Sequence, residues 1–200
     1  KLNDSALVYE SEHSPALGYG FRCGLLGMLH LEILKERLER EFDLSLVVTV
    51  PSVAYRILLR AGGTKTIKSQ LELTDPSFIE HIEEPWVKID VVAPSEYIGA
   101  VMQLVQERRG VYQNTEYLLG ERAILHYQIP LAMIIVDFYD KLKGVTAGYA
   151  SMNYEVLDYR VADVVRMDIL VAEEAVDAFS SLVYRDEAER SGRRVLNILK

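Results

Sequence analysis

Three groupings in this sequence have the residue types for chemistry, and each also has a plainer structural reading. His30-Leu31-Glu32 has the spacing of a zinc-deaminase His-x-Glu pair, in which imidazole binds the metal and carboxylate moves protons. That chemistry needs two further ligands, ordinarily a Cys-x-x-Cys, and Cys23 is the one cysteine present, so a hydrogen-bonded helix histidine is the better reading. His13, His81 and His126 stand isolated. Gly18-Tyr19-Gly20-Phe21-Arg22-Cys23-Gly24 leads from a strand towards a helix, as phosphate loops do. It lacks Lys-Ser or Lys-Thr after its last glycine and carries bulky Phe21 where backbone must approach phosphate, so it reads as a glycine-relieved strand end. Cys23 has no base nearby in sequence to activate it and is expected to be a small buried hydrophobe. The pairs Glu83-Glu84 and Glu173-Glu174 fall at expected element starts, where carboxylates serve helix dipoles or solvation. No Gly-x-Ser-x-Gly element or dinucleotide fingerprint occurs. These residues do not make a catalyst.

Cations are the remaining chemistry. The net charge of −8 argues against the whole chain wrapping a nucleic acid, because phosphate affinity comes mainly from Lys and Arg displacing counterions. The basic residues are nonetheless clustered. Arg108 and Arg109 end an expected helix beside a glycine, Lys141 and Lys143 end the next, and Arg185, Arg190, Arg193 and Arg194 gather in the tail. Cations at helix C-termini also have a structural use, contributing about 0.3–1 kcal/mol against the dipole. These eight residues are the candidate RNA contacts.

The elements that must position them follow from periodicity. Residues 6–11 and 17–23 read as short strands. Residues 25–41 form an amphipathic helix with Leu31, Leu34, Leu38 and Phe42 on its apolar stripe, widened by Leu26, Leu29 and Ile33. The β-branched run from Leu46 to Leu59 predicts one long strand. Ala61-Gly62-Gly63-Thr64 reads as a hairpin turn, followed by a polar connector to Glu84-Pro85. Beyond it the sequence predicts a strand at 86–92, a helix at 95–108 capped by Ser95 and stopped by a left-handed Gly110, and paired strands at 111–118 and 122–129. A helix at 131–142 and a strand at 150–160 complete that set. A strand at 164–171 and a helix from Glu173 carrying Val176, Phe179, Leu182 and Val183 begin a further module.

The fold class is therefore α+β. It comprises two ferredoxin-like, split βαβ units, the first lacking its opening strand and helix, plus the start of a third α/β module. The expected boundaries are 1–60, a connector at 61–83, 84–160, and 161–200, with relative motion expected at the connector. Half of the 200 residues are apolar and 26% charged, ordinary globular material with room for two domains of about 100 residues. One cysteine requires no oxidising compartment, and no apolar run approaches the ~18 residues of a membrane span. The chain opens at Lys1 without Met and stops at Lys200 inside the apolar pattern Val195, Leu196, Leu199, so a piece of a longer protein is expected.

Several motifs carry a family resemblance. Gly27-Met28-Leu29-His30-Leu31-Glu32-Ile33 with Glu36-Arg37-Leu38-Glu39-Arg40-Glu41-Phe42 resembles the third-domain helix of elongation factor G and its relatives, and Pro51-Ser52-Val53-Ala54-Tyr55-Arg56 the strand after it. Glu84-Pro85-Trp86-Val87-Lys88, Arg108-Arg109-Gly110, Ile129-Pro130-Leu131-Ala132 and Thr146-Ala147-Gly148 are similar to the fifth domain of those factors. No separate fourth domain intervenes and the chain continues past Arg160. That order, with Phe21-Arg22-Cys23-Gly24, Tyr184-Arg185-Asp186 and Gly192-Arg193, resembles the LepA branch of these translational GTPases. The resemblance implies a cytoplasmic, bacterial-type factor that binds the ribosome and moves tRNAs backward. GTP and Mg2+ would be held on a domain preceding Lys1, so no hydrolytic residue is expected here. It makes Arg108, Arg109, Lys141 and Lys143 candidate contacts to the GTPase-associated centre of the large subunit, and the tail arginines candidates for tRNA or rRNA. Peripheral membrane association belongs to the family and has no support in these residues. The competing class is a regulatory module, since tandem ferredoxin-like units bind ligands such as amino acids at their interface.

Overall fold

The structure, a computed structural model, describes residues 4–14, 18–25, 28–49, 52–176 and 179–198. In chain order the described elements are β1 (Val8–Ser14), β2 (Gly18–Gly24), α1 (Met28–Phe42), β3 (Tyr55–Leu59), β4 (Thr64–Ile67), β5 (Ile79–Pro94), α2 (Ile98–Glu107), β6 (Val111–Leu118), β7 (Arg122–Pro130), α3 (Phe138–Val145), β8 (Ser151–Ala162), β9 (Val164–Met167), β10 (Leu170–Val171), β11 (Glu174–Ala175), β12 (Ser181–Tyr184) and α4 (Ala188–Ile198), with short 3-10 turns between some of them. The chain is α+β, as its sequence predicts, and divides into two compact units, Lys1–Thr49 with Asp168–Ser180 and Val50–Met167 with Ser181–Lys200.

In the first unit β1 and β2 form an antiparallel hairpin with Tyr9 opposite Cys23 and His13 opposite Tyr19. Edge-on ring contacts at 5.8 Å (Tyr9–Phe21) and 4.7 Å (His13–Tyr19) add cross-strand packing. On α1 the expected stripe buries Leu34, while Lys35–Glu39, Glu36–Arg40 and Arg37–Glu41 pair one turn apart on the other side. Such pairs contribute about 0.2–0.5 kcal/mol each. The stripe position Leu26 and the strand position Leu17 lie outside the described residues. Asp43, at φ 53°, takes the left-handed position after the helix, which Asp tolerates better than most side chains.

The helix expected from Glu173 is instead a hairpin. Ala172 and Glu173 have φ of 52° and 71°, and Val171 pairs with Glu174, so two consecutive left-handed residues turn β10 into β11. A type I′ turn demands that geometry and a helix forbids it. Leu182 and Val183, placed on the same expected helix, belong to β12, which pairs antiparallel with β9 in the second unit.

The long strand expected at 46–59 also shortens. Residues 43–49 and 52–54 have no regular secondary structure, Val47 is 81% exposed, and the strand begins only at Tyr55, where β4 supplies a partner. Val50 and Pro51 lie outside the described residues. A β-branched run without a neighbouring strand has no ladder to join, and Pro51 has no N–H to offer one.

The second unit is organised by the 16 residues of β5. Along one edge β5 pairs first with β3 (Arg56 opposite Glu83) and then with β7 (Trp86 opposite Pro130); along the other it pairs with β8 from Ile82 to Val92. Pro85 sits at that changeover and beside a bulge against β8, a place where a strand tolerates a missing N–H. Within residues 79–162 the spatial order is β8-β5-β7-β6, with α2 and α3 as the two crossovers, which is the split βαβ arrangement. Val87, Ile89, Val91 and Ala93 alternate onto the buried face and meet Leu125, Tyr127 and Ile129, with Val101, Val105, Phe138 and Leu142 packed over them. A second cluster joins Ile57 and Ile67 to Ile79, Ile82, Ala162, Val164 and Tyr184.

Segment 61–83, expected as a bending connector, is built into this sheet: Gly62 and Gly63 (φ 88° and 97°) turn β3 into β4, and β5 already begins at Ile79. The positions 83 and 160 expected as boundaries both fall inside continuous strands. Two helices differ from expectation as well. Residues 95–97 and 131–133 are 3-10 turns, and the α-helices begin at Ile98 and Phe138. Ser95 makes no side-chain cap; its N–H donates to Glu121 O at 2.8 Å.

Candidate nucleic-acid interface

Arg108 and Arg109 stand where α2 closes. Gly110 N donates to Val105 O (2.9 Å) and Arg109 N to Gln106 O (3.1 Å), the paired bonds of a Schellman cap. The left-handed residue is Arg109, at φ 62°, rather than Gly110 as the sequence predicts. Gly110 is needed for close approach: a Cβ there would lie 2.1 Å from Val105 Cγ1 and 2.9 Å from Val105 O.

The cap turns the two arginines to different neighbours. Arg108 reaches Asp137 at the start of α3, which Lys141 also pairs with at 2.8 Å. Burial opposes ionisation of Asp137, but hydrogen bonds from Lys141 and Arg108 outweigh it and hold its carboxyl below the ordinary range. Arg109 Nη2 donates to both Asp186 oxygens at 2.6 and 2.7 Å and to Glu187 Oε1 at 2.9 Å, while its guanidinium lies 4.0 Å over the Tyr184 ring. These bonds hold the Asp186 carboxyl low.

Under that ring Tyr184 Oη donates to Glu84 Oε2 at 2.6 Å, with Glu84 only 2% exposed. Burial pushes the Glu84 carboxyl up, against the Tyr184 hydrogen bond and the Arg109 charge, and burial with the Glu84 bond pushes the Tyr184 phenol far up. Tyr55 is pushed up to about 12 by burial and the Glu84 charge. A cleft of about 420 Å³ adjoins the cluster, lined by Trp86, Pro130 and Asp163 among others. The sequence offers one signal for this cluster, the parity of β5: Ile82 and Glu84 share the inward side until the Pro85 bulge shifts it.

The other cations are partly engaged. Lys143 Nζ donates to Gly148 O (3.1 Å), Arg185 Nε to Asp163 Oδ1 (2.9 Å), and Arg193 pairs with Glu189 (2.6 Å) one turn away. Arg190 and Arg194, four residues apart on α4, are exposed and make no ion pair among the described residues. The eight candidates therefore form no single surface. Arg108 and Arg109 are half-buried against carboxylates, Arg185 and Arg193 make exposed pairs with Asp163 and Glu189, and Arg190 and Arg194, on one side of α4, have no carboxylate paired to them among the described residues.

The residues weighed for catalysis have structural partners. His30 Nε2 lies 2.8 Å from Asp4 Oδ2, and this hydrogen bond holds the Asp4 carboxyl low. Among the described residues no three His, Cys, Asp or Glu gather to hold a metal. Cys23 is exposed rather than buried as expected, because it lies on a two-stranded hairpin, and partial burial raises its thiol pKa, which disfavours the thiolate. Gly18–Gly24 is strand β2, its backbone committed to the β1 ladder, so it does not fit a nucleotide phosphate.

Residues 81–170 match the family described as elongation factor G C-terminus. Over 199 residues the chain is 51% identical to elongation factor 4 of Chlorobium phaeobacteroides (strain BS1), a match covering 100% of this chain and 33% of that protein. It is 50% identical over 200 residues to elongation factor 4 of Limosilactobacillus fermentum, covering 100% and 33%, and 51% identical over 195 residues to that of Chlamydia caviae, covering 98% and 32%. The chain spans about a third of the length of these relatives. A crystal structure of a protein from Thermus thermophilus shares the fold at a TM-score of 0.54 and 18% identity, covering 77% of this chain and 36% of that one. By sequence the chain is thus related along its whole length to elongation factor 4, of which it spans about a third, and through residues 81–170 to the elongation factor G C-terminus.

Proposed function

We propose that this chain is the ribosome-engaging part of a translational GTPase of the elongation factor 4 type, with GTP and Mg2+ held and GTP hydrolysed on a domain outside it. The observation that carries this reading is identity near 50% to elongation factor 4 across all 200 residues. In this reading the β1–β2 hairpin and α1 belong to the third domain of the factor, the β8-β5-β7-β6 sheet with α2 and α3 to the fifth, and the residues after β8 to the start of the C-terminal domain. The β5 sheet serves as a rigid body that carries nucleotide-dependent strain, and the exposed cations of α4 meet RNA phosphate. Arg108, Arg109, Lys141, Lys143, Arg185 and Arg193 act mainly to hold the RNA-facing elements in place. Back-translocation of tRNAs, contact with the large-subunit GTPase-associated centre, a cytoplasmic location and peripheral association with the cell membrane are finer parts of the reading and follow from the resemblance.

The test is co-sedimentation of the chain with bacterial ribosomes across a salt series, with and without Arg190→Glu and Arg194→Glu. The double substitution is expected to weaken binding and to flatten the plot of log K against log salt by about 1.4 to 1.8, two phosphates at roughly 0.7 to 0.9 each. Unchanged affinity and slope would remove α4 from the interface; no sedimentation of the unsubstituted chain at low salt would sink the reading as a whole.

A further inference from the structure

The helix that carries Arg190 and Arg194 is poorly equipped to hold its own place. Along its described length, Ala188–Ile198, α4 buries no side chain, so packing holds little of it in place. Its contact with β9 is close but small, Gly192 lying where an added Cβ would come within 3.4 Å of Met167 Sδ. What precedes the helix is held far more firmly. Tyr184 is 9% exposed and hydrogen-bonded to buried Glu84, Arg185 N donates to Asp163 O at 2.9 Å, and Asp186 and Glu187 both receive Arg109.

We propose that Arg109, Tyr184 and Glu84 form a clasp that fixes the start of α4 to the end of the ferredoxin-like sheet and so sets the direction in which Arg190 and Arg194 point. Three features support a clasp over an incidental surface pairing. Arg109 holds three carboxylate oxygens and an aromatic face at once, from a backbone position that the Schellman cap keeps left-handed. Its partners stand 77 and 78 positions away in sequence, so the contact joins elements that nothing local brings together. Glu84 is buried with its hydrogen-bond acceptor turned to Tyr184, so losing the phenol would leave a carboxyl without that partner inside the body. Arg109 thus becomes a positioning residue instead of an RNA contact. The clasp stands on geometry alone; its consequence for nucleic acid rests on the reading proposed above.

Hydrogen exchange of the full 200-residue chain, followed in the absence of RNA, tests it. Arg109→Gln and Tyr184→Phe are each expected to speed exchange of the 188–198 amides at least tenfold, while β5 and β7 amides keep their protection. Asp186→Asn with Glu187→Gln removes the same pairing without touching the α2 cap and is expected to act likewise, which covers the case that Arg109→Gln disturbs folding. Unchanged α4 protection in Tyr184→Phe and in the Asp186/Glu187 variant overturns the clasp. If α4 loosens in these variants but Arg190→Glu with Arg194→Glu leaves ribosome binding intact, the clasp stands and the nucleic-acid reading falls.

Discussion

Replacing Gly110 by Ala tests the account of how α2 ends. The new Cβ would meet Val105 Cγ1 at 2.1 Å and Val105 O at 2.9 Å, both closer than real Cβ contacts allow. Val105 is fully buried among Val101, Leu125 and Phe138, so its methyl cannot swing aside without overpacking the core, at about 1–3 kcal/mol. Moving the backbone instead breaks the 2.9 Å bond from Gly110 N to Val105 O, a net loss of about 0.5–1.5 kcal/mol. The chain takes the cheaper of the two responses, so the expected loss is about 0.5–1.5 kcal/mol, a measurable part of the 5–15 kcal/mol typical of a domain. Urea unfolding followed by fluorescence of Trp86, the chain's single tryptophan, reports on the sheet concerned; the midpoint should fall with the slope unchanged. A variant within about 0.5 kcal/mol of the original would refute the close-approach argument and return Gly110 to an ordinary loop glycine.

Gly144 provides the opposite sign: it lies within α3 with nothing near its missing Cβ, so Gly144→Ala should add about 0.5–1 kcal/mol of stability, seen as a higher urea midpoint. Glu84 gives a pH signature. Its carboxyl is raised by burial, so the folded state holds a proton that the unfolded state releases; the stability this contributes is fully present below the ordinary carboxylate range and is lost as pH rises through the raised value. Relative to the original chain, Glu84→Gln should therefore gain stability as pH rises through that window, measured by urea midpoints at a series of pH values. A flat or reversed difference would show that Glu84 is not buried as a strained carboxylate. Asp186, held low by Arg109, works the other way, its contribution fading as pH falls.

The ferredoxin-like core was legible because period-two alternation along Val87, Ile89, Val91 and Ala93 is a local property of the strand. The crossover helices were legible for the same reason, apart from the 3-10 turns at their starts, where no capping side chain announces the change. The β10–β11 turn was hidden because Ala172 and Glu173 adopt left-handed conformations that composition gives no reason to expect. The run 46–54 looked like strand because β-branched residues favour one, but a strand exists only where a partner offers hydrogen bonds.

The eight candidate cations show the same division. Sequence alone established where they cluster, that His30-Leu31-Glu32 and Gly18–Gly24 lack the accompanying residues that zinc or nucleotide chemistry needs, and which family the chain resembles, since each of these depends on residue type and near spacing. Tertiary structure decided which charges remain available. Arg109 and Asp186 are 77 positions apart, and Arg108 and Asp137 are 29 apart, so the first pairing arises only when the tail returns to the end of α2 and the second only when α2 and α3 pack together. Arg190 and Arg194 stay free because α4 leaves them facing outward, with no ion-pair partner among the described residues.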